Sequence, residues 1–143
     1  CGGRCCRSSW PLWAIFVLFG FAAPAAADPC EGPLPKQLGA TFTGTIRYVG
    51  DGDSLCVGRT ERPEEWIEVR LADFNAPELH DPAGEAAKQT LTRIAFGRSV
   101  LCRTERGRSG RVISFDRVIA RCQIDGRSLG DAMRAAGVAE GGH

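Results

Sequence analysis

The sequence predicts an α+β chain built on a β-barrel, with five strands and two helices in the order βββ-α-ββ-α. Three observations carry that prediction. Residues 41–49 alternate Thr41, Thr43, Thr45 and Arg47 with Phe42, Gly44, Ile46 and Tyr48, the two-residue period of a half-buried strand. Four further short strand-like runs follow, separated by turn residues or polar loops. The one long stretch with helical spacing falls between the third and fourth runs of the five.

In chain order, Pro29 to Gly39 is rich in Pro and Gly and reads as an extended lead-in over 28–39. After the first strand, Gly50-Asp51-Gly52-Asp53 forms a tight turn into a second strand, Ser54 to Val57. Gly58 to Glu65 is a polar hairpin loop and Trp66 to Leu71 a third strand, which completes a meander. Asp81-Pro82 opens a helix with Ala83, Ala87, Leu91 and Ile94 on one face, and Gly97 ends it. Ser99 to Arg103 is a fourth strand, Thr104 to Ser114 a long loop rich in Arg and Gly, and Arg117 to Ile124 a fifth, mostly apolar strand. Asp125-Gly126 is a turn, and Ser128 can cap a short helix through Ala136 with Gly137 as its stop. This is the order of a five-stranded Greek-key barrel of the OB type, placed over residues 40–143. A mixed α+β sandwich is the alternative.

The first 27 residues stand apart. Arg4 and Arg7 precede an apolar run from Trp10 to Ala23, Pro24 breaks it, and Ala25-Ala26-Ala27 supplies a small-residue cleavage site. That is the pattern of a secretory signal peptide over 1–27. The run is short of the ~20 apolar residues of a membrane span. The expected product is an exported, periplasmic or extracellular chain with no stable membrane anchor, starting at Asp28 and monomeric. Four cysteines follow the leader: Cys30, Cys56, Cys102 and Cys122. An even number in an exported chain implies disulfides. Cys102 and Cys122 lie in strand-like runs that could pair, which predicts Cys102–Cys122 and, by elimination, Cys30–Cys56. Their spacing is not that of a zinc site.

Loss of the leader removes Arg4 and Arg7 and leaves 16 basic against 17 acidic side chains, a formal charge of −1. Net charge therefore gives no argument for nucleic acid. Its distribution says more: residues 28–92 hold twelve acids and six bases, whereas residues 93–127 hold nine Arg and three acids. Such a chain could hold a cation on one side of a cleft and phosphates on the other, or simply expose two faces of opposite sign.

The densest polar cluster is Arg70-Leu71-Ala72-Asp73-Phe74-Asn75-Ala76-Pro77-Glu78. Val69 and Leu71 turn one way on the third strand and Arg70 the other. Taken alone, the cluster reads as a surface salt-bridge patch. In a five-stranded barrel, however, the ends of strands one and three can lie side by side. Asp51, Asp53, Asn75 and Glu78 would then share one mouth, as hard oxygen donors for Ca²⁺, with Mg²⁺ or another divalent ion also possible. Arg70 and Arg117 would offer two planar donors to a phosphate. A divalent ion, two arginines and a spare carboxylate suffice to hydrolyse a phosphodiester.

Val49-x-Asp51-Gly52-Asp53-Ser54, then Val69 to Ala72 with Ala76-Pro77-Glu78, then Arg117-Val118-Ile119-Ala120, resembles the staphylococcal nuclease-like (thermonuclease) family over roughly Thr41 to Val138. The resemblance implies an OB-fold barrel and Ca²⁺-dependent endonucleolytic hydrolysis of DNA and RNA with low base specificity, leaving 3′-phosphate ends. It implies Asp53 as a metal ligand, Asp51 as its acidic neighbour, Arg70 and Arg117 as phosphate-binding catalytic residues, and Glu78 as the general base.

Three departures from the family pattern stand out. The second aspartate ligand of the family is Asn75 here, which brings an oxygen but no charge. Asp73, two residues earlier, either replaces that charge or is exposed. The Y-G-R that usually precedes the fifth strand is Phe115-Asp116-Arg117. The family's third helix, with its nucleotide-packing aromatics, has no counterpart before His143, so substrate affinity would fall to the loop arginines Arg103, Arg106, Arg108 and Arg111. The competing expectation is a non-catalytic OB-fold module that binds nucleic acid or protein through a degraded metal site.

Overall fold

The computed structural model describes Gly20 and residues 28–141, so the expected signal peptide lies, apart from Gly20, outside the described residues. Its strands are β1 (Thr41–Asp51), β2 (Ser54–Gly58), β3 (Ile67–Leu71), β4 (Ser99–Thr104), β5 (Ile113–Ser114), β6 (Arg117–Ile124) and β7 (Arg127–Ser128). The helices are α1 (Pro82–Ala95) and α2 (Leu129–Ala135). The five longer strands match the five expected. β5 and β7 are additions of two residues each, one at either end of β6, and the first takes Ile113 and Ser114 out of the expected loop.

The five longer strands close on themselves. β1 pairs antiparallel with β2 and β4, β2 with β3, and β4 with β6, and the parallel pairing of β3 with β6 completes the ring. The result is a closed five-stranded barrel with two helices, consistent with an OB-like architecture. β1 pairs with β4 over Thr41–Thr45 and with β2 over Thr45–Asp51, and its register with β2 slips between Ile46 and Tyr48 and again between Val49 and Asp51. Such bulges bend and coil a strand, as barrel closure requires.

Alternation fixes what faces inward. Val69, Leu71, Val118 and Ala120 point into the core from β3 and β6, joined by Ile46, Leu55 and Val57. One end is covered by Ala87, Leu91 and Ala95 of α1, and Leu129 and Met133 of α2 are also buried. Ala87 and Leu91 are buried as expected, whereas the ends of the face differ: Gly84 is buried in place of Ala83 and Ala95 in place of Ile94, α1 beginning against the backbone of Glu78. Ser128 caps α2, its hydroxyl accepting from the Asp131 N–H at 3.0 Å.

Two disulfides are present, Cys102–Cys122 and Cys30–Cys56, as expected. Cys102 and Cys122 are directly opposed on β4 and β6, with Cα atoms 4.1 Å apart. Cys30 anchors the lead-in to β2, and the Glu31 and Gly32 N–H groups bond to the carbonyls of Pro63 and Trp66. The lead-in is thus part of the packed structure. Among the described residues no helix is long and apolar enough to cross a membrane.

Candidate functional site

Asp51 and Asp53 lie at the turn between β1 and β2. The Asp53 N–H donates to Asp51 Oδ1 at 3.0 Å. Gly52 between them is enforced by space, since a Cβ there would come within 2.6 Å of Ala76 Cβ and 2.7 Å of Ala87 Cβ. Its absence lets the loop after β3 and helix α1 close together over the turn. Asp53 is only 6 % exposed. Its Oδ2 accepts from the Ala76 N–H at 2.7 Å and stands 3.2 Å from the Arg70 guanidinium.

Burial pushes the Asp53 carboxyl up to about 7, helped by the charge and hydrogen bond of Asp51 and opposed by Arg70 and the Ala76 N–H. For Asp51, burial also pushes upward, but hydrogen bonds from Asp53 and Ser54 and the charge of Arg117 outweigh it and hold the carboxyl below its usual value. The two neighbouring carboxyls are thus pushed in opposite directions, Asp53 upward and Asp51 downward.

Arg70 leaves β3 on its outer face, as alternation predicts. Its Nη1 donates to the carbonyls of Leu71 at 2.7 Å and Phe74 at 2.8 Å, and its Nη2 to Asn75 Oδ1 at 2.7 Å. The guanidinium is thus clamped by the turn that follows its own strand. Parallel pairing sets Arg70 opposite Ile119, which brings Arg117 alongside Glu68. Arg70, Asn75, Gly107, Arg108, Ser114 and Arg117 line one groove of about 390 Å³. A larger hollow of about 540 Å³ along β1 and β4, lined by Thr43, Thr45, Arg59 and Asp125 among others, gathers no comparable set of cations.

Glu78 is exposed, just past Pro77. Its backbone is pinned by α1: the Glu78 carbonyl accepts from the Asp81 N–H at 3.0 Å, and a Cβ on Gly84 would fall 1.8 Å from that same oxygen.

Two expectations change. Asp73 does not face the Asp51–Asp53 pair. Its side chain, 4 % exposed, lies 3.6 Å from Arg121 Nη1 and against Gly130 at the start of α2, and neither carboxylate oxygen has a hydrogen bond among the described residues. Of the four loop arginines, Arg108 alone borders the groove. Arg103 lies with Glu105 and Arg121 around a separate hollow, Arg106 bonds to the Gly110 carbonyl at 2.9 Å, and Arg111 is exposed. Arg103 lies on β4 and not in the loop.

Asn75 is tied to the C-terminal segment. Its Nδ2 donates to the Gly141 carbonyl at 2.9 Å, its carbonyl accepts from the Gly141 N–H at 2.8 Å, and its own N–H donates to Glu140 Oε1 at 3.2 Å. Arg134 of α2 bonds to the Asp73 carbonyl and to Glu140. The links of Asn75 and Asp73 to this segment were not readable in sequence, because the partners lie 61 to 66 residues apart and their spacing carries no pattern. Glu68 was also missed. It is 6 % exposed on the outer face of β3, its carboxyl pushed up to about 7 by burial first, then by a hydrogen bond to Asp28 and the charge of Asp116, against the pull of Arg117.

Whether the site suits a divalent cation is tested by its donors. The adjacent carboxyls of Asp51 and Asp53 are hard oxygen donors of the kind such an ion takes. Asn75 adds an amide oxygen, which it shares with Arg70. Among the described residues no three His, Cys, Asp or Glu side chains are grouped to hold a metal.

No known family profile matches the chain. It is similar to Protein ParB of Escherichia coli, with 37 % identity over 62 residues, 43 % of this chain and 33 % of ParB. The chain thus spans about a third of the length of that relative.

Proposed function

We propose that the barrel is of the OB Greek-key type and that the chain is an exported, thermonuclease-like hydrolase of DNA or RNA phosphodiesters. The observation that carries this reading is the meeting of opposite charges: the neighbouring carboxyls of Asp51 and Asp53, with Asp53 3.2 Å from Arg70, an arginine that lines a groove with a second arginine, Arg117. Arg70 and Arg117 would donate to the non-bridging phosphate oxygens and stabilise the charge that grows there. Glu78 would accept a proton from a water as its oxygen bonds to phosphorus, while the bond to the 5′-oxygen breaks and that oxygen takes a proton from solvent. A Ca²⁺ or similar ion held by Asp51, Asp53 and the Asn75 amide oxygen would add positive charge at the phosphate. Two disulfides favour export to an oxidising compartment.

One observation favours the second reading, a barrel that binds strands without cutting them. The Asn75 amide is committed at both ends, to Arg70 and to Gly141, as a structural link would be. Glu78→Gln separates the two. The hydrolase reading predicts loss of cleavage by at least about a hundredfold with strand binding retained. Cleavage equal to the parent's would remove Glu78 from the mechanism.

A further inference from the structure

The hairpin between β5 and β6 turns on two residues, Phe115 and Asp116, since Ser114 pairs with Arg117. Phe115 has φ of +56°. That is the left-handed region, where Gly and Asn are at ease and a bulky side chain is strained. Another two-residue hairpin turn obeys the usual rule: Asp125 and Gly126, between β6 and β7, have φ of 50° and 78°. Phe115 gains nothing from packing in return, because it is 94 % exposed. Conformation and solvation both oppose an aromatic residue here, so the fold does not account for it. Strain retained without packing points to work done at the surface.

The turn's position indicates which work. Ser114 and Arg117, the residues on either side of it, both line the groove that also holds Arg70 and Arg108. An exposed apolar ring stands between two lining residues of a groove that holds Arg70, Arg108 and Arg117 beside Asp73 and Glu140. A nucleotide has the complementary form, a flat base beside an anionic phosphate, and aromatic faces next to basic grooves hold single strands by stacking. We propose that Phe115 is the stacking platform for an unpaired base of a DNA or RNA strand whose phosphate lies between Arg70 and Arg117. This rests on reading that groove as a phosphate site. Phe115 carries no hydroxyl, so it contributes a face and no hydrogen bond. Its contact is indifferent to which base it meets, and it requires that the base be unpaired.

The test measures binding by the full chain in EDTA, with labelled oligothymidylate, oligouridylate and an abasic oligonucleotide of equal length. Phe115→Ala and Phe115→Trp are compared with the parent, and thermal unfolding confirms that both variants fold. The parent should bind the two base-bearing strands about tenfold more tightly than the abasic one. Phe115→Ala should bind all three at the abasic level. Phe115→Trp should keep the difference, its indole emission quenched by thymidylate and unchanged by the abasic strand. Phe115→Ala that binds thymidylate as the parent does overturns the proposal while leaving the phosphate groove intact. A parent that binds no strand at low salt overturns the groove reading and the proposal with it. A parent that sediments as a dimer while Phe115→Ala is a monomer also overturns it, and assigns the ring to a contact between copies of the chain.

Discussion

Asn75 and Gly141 hold each other by two hydrogen bonds, side-chain amide to carbonyl at 2.9 Å and backbone N–H to carbonyl at 2.8 Å. The other end of the same amide accepts from Arg70 at 2.7 Å. An aspartate could serve Arg70 equally well, but it has no donor for Gly141. Asn75 therefore chains the C-terminal segment to a groove arginine.

Asn75→Asp should accordingly lower stability in EDTA by about 1–3 kcal/mol, the usual effect of setting an acceptor against an unpaired buried acceptor. Added Ca²⁺ should recover part of that loss, because the new carboxylate strengthens the Asp51–Asp53 cation site. Urea unfolding with and without the ion measures both. An equal loss in each condition would remove position 75 from the metal site.

Gly84→Ala should displace the loop that carries Glu78. The added methyl would meet the Glu78 carbonyl oxygen at 1.8 Å and its carbon at 2.4 Å, both backbone atoms that cannot step aside as a side chain would. We expect about 1–3 kcal/mol of destabilisation and a fall in cleavage larger than Ala86→Gly produces on the exposed face of the same helix. Thermal melts paired with activity assays on both variants decide the point.

Much of the barrel was legible in sequence because alternation and turn residues are local signals. Val69 and Leu71 against Arg70, Ser128 before α2 and Asp125-Gly126 in its hairpin all formed as read. The pairing of Cys102 with Cys122 followed from placing both in neighbouring strands. Asp73, left open in sequence between replacing the missing charge and being exposed, lies with its side chain buried beside Arg121 and Gly130, partners distant in sequence that no local pattern announces. The four arginines were treated as one unit, although Arg103 belongs to β4 and, of the four, Arg108 alone borders the groove. Asn75 to Gly141 and Glu68 to Asp28 are long-range contacts, and no local pattern announces them.

Glu68 predicts a pH dependence of known sign. Its carboxyl is pushed up to about 7 in the folded chain, against an ordinary glutamate value of 4.5. Below 4.5 it is protonated in both states and has no effect. As pH rises towards 7 the unfolded chain releases its proton first, so the folded state is progressively disfavoured. Stability should therefore fall across that window and level off above it, and Asp53, raised in the same direction, adds to the slope when no cation is present. Glu68→Gln should flatten part of the curve. An unchanged slope from pH 4.5 to 7 in chemical unfolding would mean that Glu68 is not held as a neutral acid.

The central claim is hydrolysis, and the most direct measurement is cleavage of single-stranded DNA by the purified chain from Asp28 onward, in Ca²⁺, in Mg²⁺ and in EDTA. The account predicts cleavage in Ca²⁺, products ending in 3′-phosphate, and complete loss in EDTA. A folded chain that binds the strand yet leaves it uncut at millimolar Ca²⁺ would contradict it and establish the barrel as a binding module.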